Sequence, residues 1–343
     1  MFPSPWYKSK DTEDSQIISS RIRLARNLAN YHFQRNLSKN DASAIVQDVQ
    51  SVINQYNNNN TYREFSFHEL DDVKAQVFLE KHIVSPKFLL TTLPKAVFTD
   101  EDRNVSVMVN EEDHVRIQSI EPGRDLKKAF YAANHVDDLL EKRLDFSFDK
   151  DFGYLTACPT NVGTGLRASF LIHLPCLDKT NLLKKLFPYI TKSGLTLRGI
   201  YGEGTAPLGS IFQISNQVTT GINEEEIIKN LESVTDNIIK RENQVRDKIL
   251  LTRQNYLQDK VYRAYGILTH CRKISIKEAM SLLSDIRLGF HAKILDMSKP
   301  YKHIYQIMME IQPGHLHSET GQLLDTTETD IVRATFLRRI FNL

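Results

Sequence analysis

Arginines stand beside turns in four separate segments of this sequence, and glutamates accompany them in two of those segments. The arginines concerned are Arg21, Arg23, Arg116, Arg167 and Arg198. A planar guanidinium fork suits bidentate recognition of phosphate oxygens, so converging arginines suit a triphosphate carried with Mg²⁺. Phosphoryl transfer needs positioning and charge neutralisation more than covalent chemistry from the protein. The pattern therefore predicts a site for ATP and Mg²⁺.

Two glutamates in these segments, Glu112 in NEEDHVR (110–116) and Glu203 in RGIYGEG (198–204), are not needed for phosphate binding. Taken alone, the first segment is also typical of a solvated charged turn, and the second of a flexible glycine-rich loop. The functional interpretation is that both carboxylates hold a cationic acceptor and accept its proton. His114 is interpreted as a local hydrogen-bonding residue, because no second histidine stands at metal-ligand spacing.

The third segment, CPTNVGTGLRAS (158–169), places two glycines in a turn that ends in an arginine. Such a loop can cradle phosphate through its free N–H groups, although a plain hairpin loop explains it equally well. The segment matches neither the P-loop pattern nor the G-x-G-x-x-G dinucleotide turn. P-loop and Rossmann chemistry are therefore not supported.

Two regions of different character follow one another along the chain. The first 220 residues mix strand patterns with helix patterns, whereas only helical patterns follow. Strands are expected over 105–109, 115–120, 154–158, 169–174, 195–200 and 211–215, and helices over 41–56 and 123–144. Asn223 before three glutamates predicts the start of a long helix, and Ser275 with Glu278 predicts a capping box. We expect an α+β domain over 1–250 and a small all-α domain over 251–343.

Composition argues against several classes of protein. Lysine plus arginine number 44 and aspartate plus glutamate 42 in 343 residues, and a net charge of +2 provides no basic field for nucleic acid. Cys158, Cys176 and Cys271 are too few for a disulfide framework and lack zinc spacing. Neither a secretory signal nor a run of about 18 apolar residues is present. We expect a cytoplasmic protein without membrane attachment or direct nucleic-acid binding.

Taken together, NEEDHVR, CPTNVGTGLRAS and RGIYGEG resemble in type, order and rough spacing the motifs of the guanidino phosphotransferases, the family of creatine and arginine kinases. The resemblance implies a mostly antiparallel β-sheet flanked by helices, the guanido kinase or glutamine synthetase-like fold. Metabolic guanidino kinases carry a helical domain ahead of the first arginine motif, whereas only 18 residues precede Ser19 here. This layout, with its helical region last, resembles the bacterial protein-arginine kinases of the McsB type.

The resemblance also implies roles for individual residues. The five arginines would bind the ATP phosphates, and four further residues would line the nucleotide site: Ser20, His82, Ala168 and Ser169. Glu112 would be the catalytic base, and Glu203 would hold the guanidinium from the other side. Cys158 would lie beside the guanidinium as a thiolate that polarises it. Mg²⁺ would be held through ATP rather than by protein ligands.

The implied activity is phosphorylation of arginine side chains in proteins, which marks them for a Clp-type protease and relieves a heat-shock repressor, with an activator protein as a further partner. Two alternatives remain open. One is a kinase for free arginine or another small guanidino compound, and the other is a non-catalytic adaptor that binds nucleotide or phosphoarginine proteins. The apolar stripe of the helical region also predicts a homodimer.

One motif departs from the pattern of this kinase type. Its allosteric phosphoarginine motif, R-D-x-x-R-A, corresponds here to TDIVRA (329–334). Asp330 and Arg333 match, but Thr329 replaces the first arginine and cannot supply a charged fork to a phosphate. We therefore expect weak or absent feedback by phosphoarginine.

Overall fold

The computed structural model describes residues 6–10, 15–56, 62–66, 70–100, 104–199, 207–295 and 303–342. The chain forms two compact units. The first unit comprises Met1–Trp6, Ser19–Ser169 and Ser215–Leu231. The second comprises Tyr7–Ile18, Phe170–Ile214 and Glu232–Leu343. Within the described ranges, no helix combines the length and the apolar character that a membrane crossing requires.

Eight strands form one sheet, and two short strands form a separate hairpin. In chain order the strands are β1 (Ile17–Arg26), β2 (Tyr62–Ser66), β3 (Ala96–Asp100), β4 (Val105–Val109), β5 (Val115–Pro122), β6 (Phe148–Asp149), β7 (Gly153–Tyr154), β8 (Leu166–His173), β9 (Leu195–Gly199) and β10 (Ile211–Asn216). The sheet order is β2-β3-β4-β5-β1-β8-β10-β9, and β6 pairs with β7. The pairs β2–β3, β3–β4, β4–β5 and β1–β5 are antiparallel, as expected.

The helices are α1 (Lys39–Tyr56), α2 (Asp72–Glu80), α3 (Pro86–Leu90), α4 (Leu126–Glu141), α5 (Pro175–Lys179), α6 (Phe187–Lys192), α7 (Glu224–His270), α8 (Ile276–His291), α9 (Ile304–Glu310), α10 (Pro313–Thr320) and α11 (Thr326–Phe341). The predicted α+β class is confirmed, and in the described part of the chain after residue 221 only helices occur. Asn223 begins α7 with a capping box, since its Oδ1 accepts from the Glu226 N–H at 2.9 Å and its own N–H donates to Glu226 Oε2 at 3.1 Å. Ser275 Oγ likewise accepts from the Glu278 N–H, at 3.2 Å.

Helix α7 runs on well beyond residue 249, where its predicted apolar repeat ends, and its backbone is non-helical at Arg253 (φ −145°, ψ 40°). The predicted domain boundary after residue 250 falls within this helix, close to that interruption, and it stays a prediction. In the second unit, α7 contributes Leu257 and Val261 to a buried cluster that also contains Cys176 and Leu288.

The short helix α3 has a firmly fixed start. Ser85 caps it, because its Oγ accepts from the Phe88 N–H at 3.0 Å, and Pro86 occupies the first helical position, where no N–H is required. Helices α2 and α3 share one buried apolar cluster with β3 and β4, formed by Phe78, Val84, Phe88, Val97 and Met108. The backbone of Lys87 is held in place, because Ser85 caps the helix before it and Phe88 after it is buried in this cluster.

The predicted strand over 154–158 is wrong beyond its first residue, because β7 ends at Tyr154. The chain that follows finds partners other than a strand ladder. The Leu155 N–H donates to the Ser147 carbonyl at 2.9 Å, and the Ala157 N–H donates to Asp113 Oδ1 at 2.6 Å. The Asp113 carboxylate thus takes the place of a neighbouring strand. The alternation of residue types over 154–158 contains no information about this distant partner.

Candidate active site

Arg21, Arg23 and Arg116 lie on one face of the sheet. Along β1 the two arginines are half-buried and alternate with fully buried residues. The antiparallel register sets Arg23 opposite Gln118 and Ala25 opposite Arg116. Residues directly opposite each other on neighbouring strands lie on the same face, so Arg116 of β5 joins the arginines of β1. We call this surface the arginine face.

Strand β8 adds two more of the predicted residues to the arginine face. Arg21 Nε lies 3.5 Å from Ser169 Oγ, to which it donates. Arg167 stands two positions before Ser169 and therefore shares its face. It is half-buried, and its guanidinium donates to Ser215 Oγ at 3.3 Å. Four of the five predicted phosphate-binding arginines are thereby brought to one surface of the first unit.

Two further predicted site residues are Arg198 and Glu203. Arg198 is on β9 in the second unit, half-buried between the buried Leu197 and Gly199. Glu203 falls in the segment 200–206, outside the described residues. The roles of Arg198 and Glu203 stay predictions.

Residues 110–114, here called the acidic loop, join β4 to β5 in a closed turn. The Asn110 N–H donates to the His114 carbonyl at 2.8 Å. Asn110 has φ +62°, a left-handed conformation that asparagine tolerates better than most residues. Its amide donates to the carbonyls of Ala42 and Pro94 at 2.9 and 2.7 Å. The loop therefore presents its carboxylates from a fixed backbone.

Glu111 is the buried carboxylate that organises the acidic loop. It accepts hydrogen bonds from Ser85 Oγ, from an Arg116 N–H at 2.6 Å and from the Glu112 N–H at 2.8 Å. Burial alone would raise the pKa of Glu111, but the Arg116 cation and these donors outweigh it and hold the pKa below its usual value. One ionised carboxylate thus orients both an arginine of the arginine face and the backbone of Glu112.

Glu112, the predicted base, is accessible to solvent at the surface of the same loop. Its side chain is 32% exposed, and its Oε1 accepts from Lys87 Nζ at 2.8 Å. The hydrogen bond to Glu112 raises the pKa of Lys87 against the opposing effect of burial, and the charges of Glu112 and Glu111, with a smaller electrostatic interaction with Cys158, add to the increase. The predicted base and the predicted thiol therefore lie within electrostatic reach of one ammonium group.

Cys158 is held beside the acidic loop by the chain that precedes it. Its neighbour Ala157 is bonded to Asp113, and Asp113 Oδ1 also accepts from the Asn27 amide at 2.7 Å. The Sγ atom is half-buried and lies 3.1 Å from Thr160 Oγ1. The carboxylate of Asp113 thus joins the segment that carries the thiol to the loop that carries the base.

The glycine-containing turn after Cys158 approaches another stretch of backbone closely. Gly163 has φ +110°, and a Cβ there would collide with the Thr219 carbonyl oxygen. The Thr164 N–H donates to that same oxygen at 3.1 Å. Close packing of backbone on backbone is therefore sufficient reason for glycine at this position, and the phosphate-cradling role stays a prediction.

Two histidines of the region have different surroundings. His114 Nδ1 accepts from the Leu28 N–H at 3.1 Å, so its proton is on Nε2, which donates to the His32 carbonyl at 2.9 Å. Burial lowers the pKa of His114 and keeps it neutral, which confirms its local hydrogen-bonding role. Burial and then the Arg21 cation lower the pKa of His82 to about 3. His82 thus lies beside the arginine face, and its contact with nucleotide stays a prediction.

Ser20 and Ala168 alternate with the arginines and lie on the opposite, buried face. Ser20 Oγ donates to the Gly123 carbonyl at 2.9 Å and accepts from the Asp125 N–H at 2.7 Å, which fixes the turn into α4. The Ala168 N–H donates to Asn216 Oδ1 at 2.8 Å. The Ser20 side chain therefore has a structural contact, and the nucleotide contacts predicted for both residues stay predictions.

Sequence reasoning missed the two groups that hold Glu112. Glu111 was not distinguished from the other acids of NEEDHVR, because burial is decided by the fold. The sequence did not indicate that Lys87 contacts Glu112, because the two residues lie 25 positions apart. Ser85-Pro86 is a typical helix start, so the beginning of α3 was the one part of this arrangement that local sequence indicates.

The TDIVRA segment lies on α11, and its arginine is bonded inside the fold. Arg333 is 1% exposed, and its guanidinium donates to the carbonyls of Ile311 and Ile274, both at 3.0 Å. It also donates to Asp330 Oδ1 at 2.5 Å. The guanidinium thereby connects three segments of the second unit.

Two families match this chain in adjacent stretches. Residues 44–245 match the ATP:guanido phosphotransferase, C-terminal catalytic domain. Residues 254–343 match the protein-arginine kinase McsB C-terminal domain.

Full-length relatives and solved structures agree with these matches. The chain is 43% identical over 341 residues to a protein-arginine kinase of Pelotomaculum thermopropionicum, covering 98% of this chain and 96% of that one. It is 41% identical over 343 residues to the protein-arginine kinase of Bacillus subtilis, covering 99% and 94%. A lombricine kinase structure is similar with a TM-score of 0.60 at 20% identity, over 72% of each chain. A duplicated taurocyamine kinase from Schistosoma mansoni gives 0.63 at 20% identity, over 79% of this chain and 40% of that chain.

Proposed function

The chain belongs to the protein-arginine kinases of the ATP:guanido phosphotransferase family, and we propose that the arginine face and the acidic loop carry out its transfer of phosphate from ATP to arginine side chains. The observation that carries these assignments is the link between the two surfaces. Glu111 bonds Arg116 of the arginine face and the backbone of Glu112 at the same time. Phosphate donor and guanidinium acceptor would thereby meet at fixed separation.

The arginine face fits the phosphates of ATP. Its donors are the guanidinium groups of Arg21, Arg23, Arg116 and Arg167, which suit the delocalised charge of phosphate oxygens better than a point charge does. In the described part of the chain, no cluster of three acidic, histidine or cysteine side chains is suited to a metal ion. As the family resemblance implies, Mg²⁺ would be held through ATP and would neutralise the phosphate charge.

The acidic loop would bind the acceptor. Glu112 would hold the substrate guanidinium in line with the γ-phosphate and accept its proton as the N–P bond forms, while the bond from the γ-phosphorus to the bridging oxygen breaks and ADP leaves. Cys158, whose segment is bonded to the acidic loop through Ala157 and Asp113, would favour the cationic guanidinium as a thiolate. Glu203 completes this proposal as the second carboxylate of the clamp.

The choice of acceptor is tested by comparing two substrates. We expect the purified protein with Mg-ATP to place acid-labile phosphate on an unfolded, arginine-rich protein faster than on free arginine. Faster turnover of the free amino acid would favour a small-molecule kinase instead. If acid-labile phosphate formed on neither substrate, the chain would be a nucleotide-binding or phosphoarginine-binding adaptor.

Weak or absent activation by free phosphoarginine is part of the proposal. Arg333 already bonds two carbonyls and Asp330 inside the second unit, and Thr329 Oγ1 donates to the Asp325 carbonyl at 2.7 Å. We expect a titration with free phosphoarginine to change the initial rate by less than twofold. Strong activation that is lost in Arg333→Lys, in a protein that stays folded, would contradict this expectation.

The biological setting is proposed from the same resemblance. Phosphorylated substrates would pass to a Clp-type protease, a heat-shock repressor would be among the substrates, and an activator protein would take part. The exposed Leu251, Tyr256 and Tyr262 on α7 support a homodimer. Free thiols at Cys158, Cys176 and Cys271 support a reducing, cytoplasmic location.

A further inference from the structure

Lys87 pairs with the carboxylate to which the proposed function assigns the cationic substrate. Its ammonium is 2.8 Å from Glu112 Oε1, so it holds the carboxylate that the proposed reaction uses for the guanidinium. The buried Glu111 carboxylate also acts on it through its charge. The carboxylates that favour a positive charge in this part of the site therefore already have the Lys87 ammonium beside them.

The position of Lys87 is built into the fold. Ser85 donates to Glu111 and caps α3, and Phe88 is fully buried in the apolar cluster beneath. Two consecutive contacts, Ser85 with Glu111 and Lys87 with Glu112, dock α3 on the acidic loop. Only the lysine side chain, which is 58% exposed, is free to swing away.

If a substrate displaces the Lys87 ammonium from Glu112, Glu111 cannot replace Glu112 as an equally strong acceptor. Its carboxylate is buried and already accepts from Ser85, Arg116 and the Glu112 N–H. A guanidinium that approaches Glu112 therefore meets a like charge that the neighbouring Glu111 cannot fully neutralise. Two cations at hydrogen-bond distance from one carboxylate repel each other, and the repulsion is weakest in high salt.

We infer that Lys87 is a specificity-determining residue that competes with the substrate guanidinium for Glu112 and sets the affinity for arginine. This inference rests on the proposed role of Glu112. Lys87 is not required for the chemistry itself, because the transferred proton goes to Glu112 and the phosphate is held by the arginine face. Its removal should therefore strengthen acceptor binding without slowing the chemical step.

The test is Lys87→Met, which keeps the aliphatic stem and removes the charge. At low ionic strength we expect the KM for a blocked Ala-Arg-Ala peptide to fall about two- to fivefold, the range typical of an exposed ion pair, while kcat stays within twofold. Lys74→Met is the matched control, because Lys74 is similarly exposed on α2 and pairs with Asp71, 3.1 Å away, instead of with the acidic loop. An unchanged or higher KM in Lys87→Met would overturn the inference.

Calorimetric binding of the same peptide without ATP separates this inference from the proposed function. Lys87→Met should lower the Kd by the same factor, and the factor should disappear in a Glu112→Gln background, as in a double-mutant cycle. Equal gains in both backgrounds would show that Lys87 acts elsewhere and would overturn the inference. If the variants show this pattern of peptide binding but the wild-type protein transfers no phosphate, the inference on Lys87 stands and the proposed function is contradicted.

Discussion

Replacing Glu112 with glutamine is expected to lower kcat for arginine phosphorylation about 10²- to 10⁴-fold, the usual contribution of a positioned general base. Glutamine has nearly the same shape and still accepts a hydrogen bond, but it neither attracts the guanidinium by charge nor takes up its proton. The KM for ATP should stay within twofold, because the arginine face remains intact. Initial rates at varied ATP and saturating protein substrate measure both quantities.

The same substitution at an exposed position of the first unit serves as the control. Glu225 is 75% exposed and pairs with Lys229, one turn along α7. Glu225→Gln should keep the wild-type rate within twofold. A Glu112→Gln protein with full activity would show that the base is another group and that the assignment of the acidic loop is wrong.

The second large effect concerns stability. Removing the carboxylate of Asp137 should lower the free energy of unfolding of the first unit by about 3–5 kcal/mol, because it leaves a buried cation without its counter-charge. Arg26 is 3% exposed and lies 2.6 Å from Asp137 Oδ2. Among the described residues, Arg26 also donates to the Ala25 and Thr164 carbonyls and lies over the Tyr154 ring. None of these carries a negative charge that could replace the carboxylate.

Urea unfolding followed by tryptophan fluorescence measures this loss. Trp6 is the single tryptophan of the chain, belongs to the first unit and is 7% exposed. The adjacent Asp138 is exposed and bonds Asn134, so Asp138→Ala should change stability by no more than about 0.5 kcal/mol. Asp137→Ala and Asp138→Ala proteins of equal stability would mean that the Arg26–Asp137 pair contributes nothing.

Much of the fold was predictable where the pattern is local. Strands β4, β5, β8, β9 and β10 and helices α1, α4 and α7 overlap the segments that periodicity indicated. Apolar residues repeat at the spacing of the element that buries them, so such elements are visible within a short window. The predicted strand over 154–158 failed for the complementary reason, since its fate depended on Asp113 and Ser147, which are distant or irregular partners.

In the candidate site, too, residue types could be read from local sequence, whereas contacts between distant segments could not. The alternating Arg21 and Arg23 and the carboxylates of NEEDHVR predicted phosphate binding and proton transfer only in combination with the other motifs, because each segment alone is also typical of a solvated charged surface.

Only the tertiary structure decided which groups meet. The β1–β5 register brought Arg116 to the face of Arg21 and Arg23, burial made Glu111 the organising carboxylate, and the docking of α3 brought Lys87 to Glu112. These contacts join segments that lie far apart in sequence. Their formation depends on packing and desolvation across the whole first unit, and no short stretch of residues contains that information.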